Sequence, residues 1–414
     1  MKQEHSLKKN FVFFTVGNIV YTLSQYLLLI LFTKNFIKED VGGYLYAMAF
    51  VTPLVQPLEM QLRGLYVTDS GNRLNLGDYH SLRIICNLMS LLLLIFGGLL
   101  FKPEMFNIIL VIGIIKIIES QMDISYASFQ KKDYVYYISY SKIIRGMSTL
   151  IMVCLLILSS INLITILYSW LVLWGLIFVF IDLKWTRKID SDFFNLKKYF
   201  NYSNLIYLLK ISWPLLLLDF VDKYYVNYPN LFIEQNYGIK IVAIFGSILY
   251  FRSVSSQLIA PISNVTAPRL AVYWVENNFI KFKSLLMKMI GIALLIGVCG
   301  ILCGFFLGEW VLTLLFTKEY ASYSEILIYV MIISAICDGY LFFGTALTCM
   351  RKHWIKLPIH VFGFVMLIGI SNIYHFKMEV FMRILIIIEL AIGLMYLFSV
   401  IYFFNKTKLK INFE

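Results

Sequence analysis

The stretch Phe36-Ile37-Lys38-Glu39-Asp40-Val41-Gly42-Gly43-Tyr44-Leu45-Tyr46-Ala47 returns 196 positions later as Phe232-Ile233-Glu234-Gln235-Asn236-Tyr237-Gly238-Ile239-Lys240-Ile241-Val242-Ala243. Phe, Ile, Gly and Ala coincide, and Glu39 and Asp40 stand opposite the near-isosteric amides Gln235 and Asn236. Each stretch lies between two apolar runs, at the place where the first helix of a repeated unit would turn back on the external side. A duplicated unit with an even number of crossings keeps its direction, so its copies are related by an axis along the membrane normal. The expected architecture is therefore an all-α polytopic membrane protein of about twelve helices, in two six-helix lobes related by a pseudo-twofold, with a central cleft. The expected divisions are an N-terminal lobe over 1–190, a cytoplasmic amphipathic linker over 191–207 and a C-terminal lobe over 208–414.

Composition supports the bilayer. Of 414 residues 60% are hydrophobic and only 14% charged, and the mean hydropathy is +0.78, whereas a soluble chain carries about 25% charged residues. About twelve runs are long enough to cross, near 11–33, 43–66, 82–101, 105–127, 138–158, 162–181, 208–229, 238–262, 285–307, 323–348, 355–374 and 381–404. The first has a core too long for a signal peptide and no small-residue cleavage site, so it reads as a retained span.

The net charge of +12 reports orientation rather than nucleic-acid binding. With the N-terminus inside, about 26 of the 36 Lys and Arg fall on the cytoplasmic side, in groups that include three around Arg73 and four around Lys131. About 7 fall outside: Lys34, Lys38, Lys102, Lys240, Lys318, Lys377 and Arg383. Both termini are expected in the cytoplasm. The connection from Asp182 to Tyr207 mixes Lys184, Arg187, Lys188, Lys197 and Lys198 with Trp185, Phe193, Phe194, Tyr199 and Phe200, as an amphipathic segment on an anionic leaflet does. The six cysteines lack the spacing of a disulfide framework or a zinc site, and Cys299 and Cys303 read as small packing residues.

Ionisable groups at bilayer depth cost about 2.5–3.5 kcal/mol each on insertion scales and mark function or a buried ion pair. Lys116, Lys223 and Arg252 are such groups. Arg252 has no acidic residue within two turns of its own helix, and a buried guanidinium without a partner suits a phosphate, which it binds bidentately. Asp219, Asp222 and Lys223 share one face of span 7, where the acids either pair with Arg252 in the unloaded state or carry a coupling proton. Span 4 has a stripe of Lys116, Glu119, Ser120 and Asp123, span 2 has Glu59 and Arg63 at i,i+4, and span 1 offers Asn18, Tyr21, Thr22 and Gln25. Each stripe reads equally as a neutralised ion pair between helices. Pro53, Pro57 and Pro214 are expected bends, while Pro229 and Pro261 read as well as helix ends.

No GxxxxGK[ST], HExxH or GxSxG motif occurs, and no filter-like re-entrant hairpin. No cofactor or metal is called for, and the chain reads as a carrier rather than an enzyme. A membrane polymerase needs a sizeable external loop, and the external connections here are short.

Val16-Gly17-Asn18, the turn from Lys34-Asn35-Phe36 to Val41-Gly42-Gly43-Tyr44, and above all Pro53-Leu54-Val55-Gln56-Pro57-Leu58-Glu59-Met60-Gln61-Leu62-Arg63 followed by Thr68-Asp69 resemble the Wzx oligosaccharide flippases. That superfamily also holds multidrug and toxic compound extrusion transporters and the lipid II flippases. In the second half, Asp222-Lys223-Tyr224 before Gly238 resembles the family's seventh helix. The resemblance implies transport of undecaprenyl-diphosphate-linked oligosaccharide from the cytoplasmic to the external leaflet, for O-antigen or capsule assembly. It implies membrane lipids, a coupling proton or sodium ion, and a polysaccharide polymerase as further partners, and cavity residues among Arg252, Lys223, Asp222, Asp219, Lys116, Asn18, Gln25 and Arg63. Lipid II flippases place an arginine in span 1, and here span 1 has only neutral polar residues. An ion-coupled drug antiporter of the same architecture is the competing reading, and a membrane-embedded polysaccharide polymerase acting on the same lipid-linked sugars is a second.

Overall fold

The structure is a computed structural model and describes residues 7–69, 74–190, 201–373 and 377–413. Arg73 and the stretch 191–200 of the expected linker lie outside the described residues. Among those described, regular structure is entirely helical. Among the described residues eleven stretches are long and apolar enough to cross a membrane, so the protein is a multi-pass membrane protein. The twelfth expected span, 43–66, is broken.

The first helices are α1 (Leu7–Asn35), α2 (Lys38–Val55), α3 (Leu62–Thr68), α4 (Leu76–Phe101), α5 (Phe106–Lys131), α6 (Val135–Leu158), α7 (Leu163–Ile177) and α8 (Leu183–Ile189). A π-helical turn, Phe178–Asp182, joins α7 to α8, so the basic residues Lys184, Arg187 and Lys188 prolong a helix. Next come α9 (Tyr202–Tyr237), α10 (Ile239–Val275), α11 (Phe279–Leu315), the single turn α12 (Lys318–Ala321), α13 (Ser324–Cys349), α14 (Lys356–Ile373) and α15 (Met378–Phe413). Pro214 and Pro229 are both carried inside α9, and Pro261 and Pro268 inside α10, so neither Pro229 nor Pro261 ends its helix. At 37 residues, α10 and α11 are each about 55 Å long, well beyond the hydrocarbon thickness of about 30 Å.

The chain divides into two compact units, Met1–Leu231 and Phe232–Glu414, the division falling within α9. In the first unit α1 runs along α6 in close contact because glycine faces the partner at both ends of the seam. A Cβ on Gly17 would sit 2.7 Å from Ser139 Cα, and one on Gly146 would sit 2.5 Å from Ser24 Oγ. Backbones this close gain dispersion where no hydrophobic drive separates helix from lipid. Asn75 caps α4 reciprocally with Asp78, and Asp78 also accepts from Asn204 Nδ2 at 2.8 Å, fixing the start of α9 beside the start of α4. Lys132 reaches Asp190 at 3.1 Å, so α5 and α8 end on the same side. Both pairings obey the expected alternation of crossings.

In the second unit α11 packs on α13 through Gly297, where a Cβ would lie 2.5 Å from that of Ala335, and Phe232 stacks on Phe381 with ring centres 4.1 Å apart. Cys299 and Cys303 are exposed on α11 rather than packed, which corrects the expectation that they fill space between helices.

The two matched stretches that begin at Phe36 and Phe232 do not turn at the same register. α2 starts at Lys38, where Glu39 and Asp40 favour a helix N-terminus. In the second stretch α9 runs on to Tyr237, and the turn waits for Gly238, which adopts φ +81°. Gly42, its counterpart by sequence, lies buried inside α2.

Candidate functional site

The interior of the first unit is built around the break after α2. Pro57 opens a 3₁₀ turn, Pro57–Glu59, and Met60 and Gln61 both take the left-handed conformation at φ 49° before α3 resumes. The i,i+4 geometry expected between Glu59 and Arg63 is lost with the helix. Arg63 instead reaches across to α5, pairing with Asp123 at 2.9 Å and donating to Gln130 at 3.0 Å. Gln61 points to α9, its amide 3.1 Å from Asp219. Backbone that leaves helical geometry at this depth is tolerated only against protein or water, and here polar side chains on α4, α5 and α9 meet the side chains of the break.

Arg83 on α4 is fully buried. It lies 4.0 Å from Glu59, 3.8 Å from Asp123 and 3.1 Å from the hydroxyl of Ser120. Asn87 continues the network by accepting from Ser120 at 3.0 Å and donating to Gln121 at 3.1 Å. On this side of the unit two arginines meet two carboxylates, and the charges balance.

The α1–α6 side differs. Glu119 accepts from Lys116 at 2.9 Å and from Tyr21 at 2.8 Å, and lies 3.7 Å from Arg145. Arg145, only 1% exposed, is held between the rings of Tyr21 and Trp174 at 4.9 and 4.8 Å, a desolvated cation–π arrangement of about 2 kcal/mol. Lys142, one turn before Arg145, donates to Asn18 at 2.5 Å and lies 5.7 Å from the Phe14 ring. Among the described residues no carboxylate lies within ion-pair distance of Lys142. Lys116 and Arg145 thus share Glu119 while Lys142 has no carboxylate of its own, and even with Asp182, buried at the π turn, the three cations outnumber the acids.

Arg83, Lys142 and Arg145 belong to the groups around Arg73 and Lys131 that the charge pattern assigned to the cytoplasmic surface. They sit near helix ends, where a sequence window cannot separate a loop cation from one a turn or two inside. The usable signal was Arg145 at helical spacing from Lys142, on the span whose Gly146 seats α1.

The other expected residues divide. Lys116 pairs with Glu119 on its own helix, as its stripe suggested. Gln25 lines a small cavity with Lys116. Asp222 lies 3.6 Å from Lys223, and Asp219 is engaged by Gln61. Arg252 is not without an acid: Glu389 on α15, 1% exposed, meets it at 3.1 Å and also accepts from Tyr340 at 2.9 Å. That partner is 137 positions away in sequence, so a search confined to the arginine's own helix misses it. Nearby, Asp338 accepts from Ser255, and His360 contacts the hydroxyl of Tyr396 at 2.9 Å. Arg252 thus has a buried carboxylate within the second unit.

No family model matches the sequence. A capsular polysaccharide biosynthesis protein, CapF of Staphylococcus aureus, is 27% identical over 357 residues, 85% of this chain and 88% of that protein. The lipid II flippase MurJ in an inward closed conformation superposes with a TM-score of 0.74 at 16% identity, over 96% of this chain and 90% of that one. An inward-facing multidrug resistance MATE transporter of the MOP superfamily gives 0.67 at 12% identity, over 97% of both chains. The chain has the MOP-superfamily fold. The resemblance drawn from Val16–Asn18 and Pro53–Arg63 is borne out at the level of the fold. The chain's polar interior comes from the broken α2–α3 segment and from α6.

Proposed function

We propose that the protein is a flippase that carries an undecaprenyl-diphosphate-linked oligosaccharide from the cytoplasmic to the external leaflet of a bacterial inner membrane by alternating access, with capsule assembly as its pathway. The observation that carries this reading is Lys142, a cation inside the membrane protein whose hydrogen-bond partner is a neutral amide, next to an arginine that shares its carboxylate with Lys116. A site with surplus positive charge, screened from water, favours an anionic head group and disfavours the cations that a drug antiporter exports. Lys142 is seven residues into α6, about 10 Å along the helix from its start. With both termini in the cytoplasm that start is the cytoplasmic one, where the cargo is loaded. The relationship to a capsular polysaccharide biosynthesis protein favours capsule over O-antigen. Arg252, Lys223, Asp222 and Asp219 are assigned to holding helices and to ion coupling rather than to the diphosphate, since each has a charged or amide partner.

The test is leaflet-resolved detection of the lipid-linked intermediate in a deletion strain complemented with wild type, Lys142→Met or Lys142→Arg. The methionine variant should leave the intermediate on the cytoplasmic leaflet while the protein remains in the membrane, and the arginine variant should restore most export. Normal glycan display by Lys142→Met would overturn the assignment. Single repeat units outside the deletion strain would point instead to a polymerase.

A further inference from the structure

We propose that the first unit contains a binding site for one small anion, of chloride size, bounded by Gln25 on α1, Lys116 on α5 and Trp170 on α7. These side chains line one cavity of about 20 Å³, whose other walls include Tyr44, Met48 and Trp174. A cavity needs about 10–15 Å³ by this measure to hold one water-sized particle, so the space takes a monatomic ion and excludes a diphosphate. The donors are unusual in having no acceptor. Trp170 is only 4% exposed, and its indole N–H, a group that can only donate, has no hydrogen-bond partner. The buried amide nitrogen of Gln25 likewise has none. An unmade hydrogen bond at a buried donor costs about 1–3 kcal/mol, and two such donors on residues that line one cavity are what an acceptor held there would satisfy.

Charge decides its sign. Lys116 gives one of its hydrogen bonds to Glu119, a carboxylate that Arg145 also approaches at 3.7 Å and Tyr21 occupies at 2.8 Å. No carboxylate lines the cavity, so the local field is positive and the donors face a space that suits a halide better than a cation. The indole of Trp174 is not a competitor for the ion, because its N–H is given to Thr149 at 2.9 Å. The site stands apart from the cargo reading: it keeps its donors satisfied whatever larger substrate the protein carries.

The experiment uses full-length protein purified in detergent. Thermal unfolding is followed in sodium chloride and in sodium gluconate at matched ionic strength, and bromide-soaked crystals are examined for anomalous density. A ligand that binds only the folded state raises Tm with saturation as its concentration passes the Kd. Chloride should raise Tm along a saturating curve that gluconate does not reproduce, and the difference should vanish in Gln25→Leu and in Trp170→Phe. Because either variant can lower Tm by itself, the loss that counts is that of the chloride dependence. Bromide density between Gln25 and Trp170 in the wild type is the independent readout. Identical curves in chloride and gluconate, with no bromide at the cavity, would overturn the proposal and leave the cavity to water.

Discussion

Glu389 carries the Arg252 guanidinium at 3.1 Å while only 1% exposed, so deleting one partner strands the other's charge in a low-dielectric interior. Breaking a buried pair from one side costs about 3–5 kcal/mol, whereas neutralising both sides costs far less. Arg252→Ala should therefore lower the unfolding temperature markedly in detergent, and adding Glu389→Gln should recover most of the loss. If the single variant melts like wild type, the pair contributes no stability. The same contrast separates the two buried cations of interest. Arg252 drew attention in the sequence because its own helix carries no acid nearby, yet folding supplies one from α15. Lys142 drew none, and folding leaves it facing Asn18. Whether a charge is neutralised depends on residues brought together from distant parts of the chain, and that was not legible in the linear order. Lys116 with Glu119 was legible, since i,i+3 spacing on one helix fixes that pair locally.

The break between α2 and α3 shows why the most specific stretch of sequence was readable as a family mark but not as geometry. Two prolines four apart announced an interruption. They did not announce that Met60 and Gln61 would both turn left-handed, a conformation costing about 1–2 kcal/mol per residue away from glycine. That pair of residues sends Gln61 to α9 and Arg63 to α5, in place of the predicted contact with Glu59. At the α1–α6 seam the control is steric. Gly17→Leu should force α1 off Ser139, costing about 1–3 kcal/mol as overpacking does, and draw Asn18 away from Lys142. The expected result is a lowered melting temperature together with a loss of export larger than the loss of protein in the membrane. Unaltered export at reduced stability would show that the seam serves packing alone.

Across the whole molecule, hydropathy was enough to find eleven stretches that fold as helices long and apolar enough to cross, because such a stretch is defined by length and composition and needs no distant partner. The contacts between Asp78 and Asn204, and between Lys132 and Asp190, impose the expected alternation from inside the fold. Reporter fusions should reflect it: a fusion after Lys132 or Lys198 should read cytoplasmic and one after Ser160 external. Any reversal would overturn the assigned orientation. What the linear pattern did not resolve was the extent of the helices, since α10 and α11 continue well past the apolar windows that revealed them.

The outward position of Cys299 and Cys303 on α11 has a practical consequence. Both lie on a membrane-spanning helix, and the hydrocarbon around it holds no water to carry a hydrophilic reagent to them. Hydrophilic maleimides will therefore bypass this pair, and a cysteine introduced at the polar interior can be labelled and followed through a transport cycle while both native sulfur atoms stay in place.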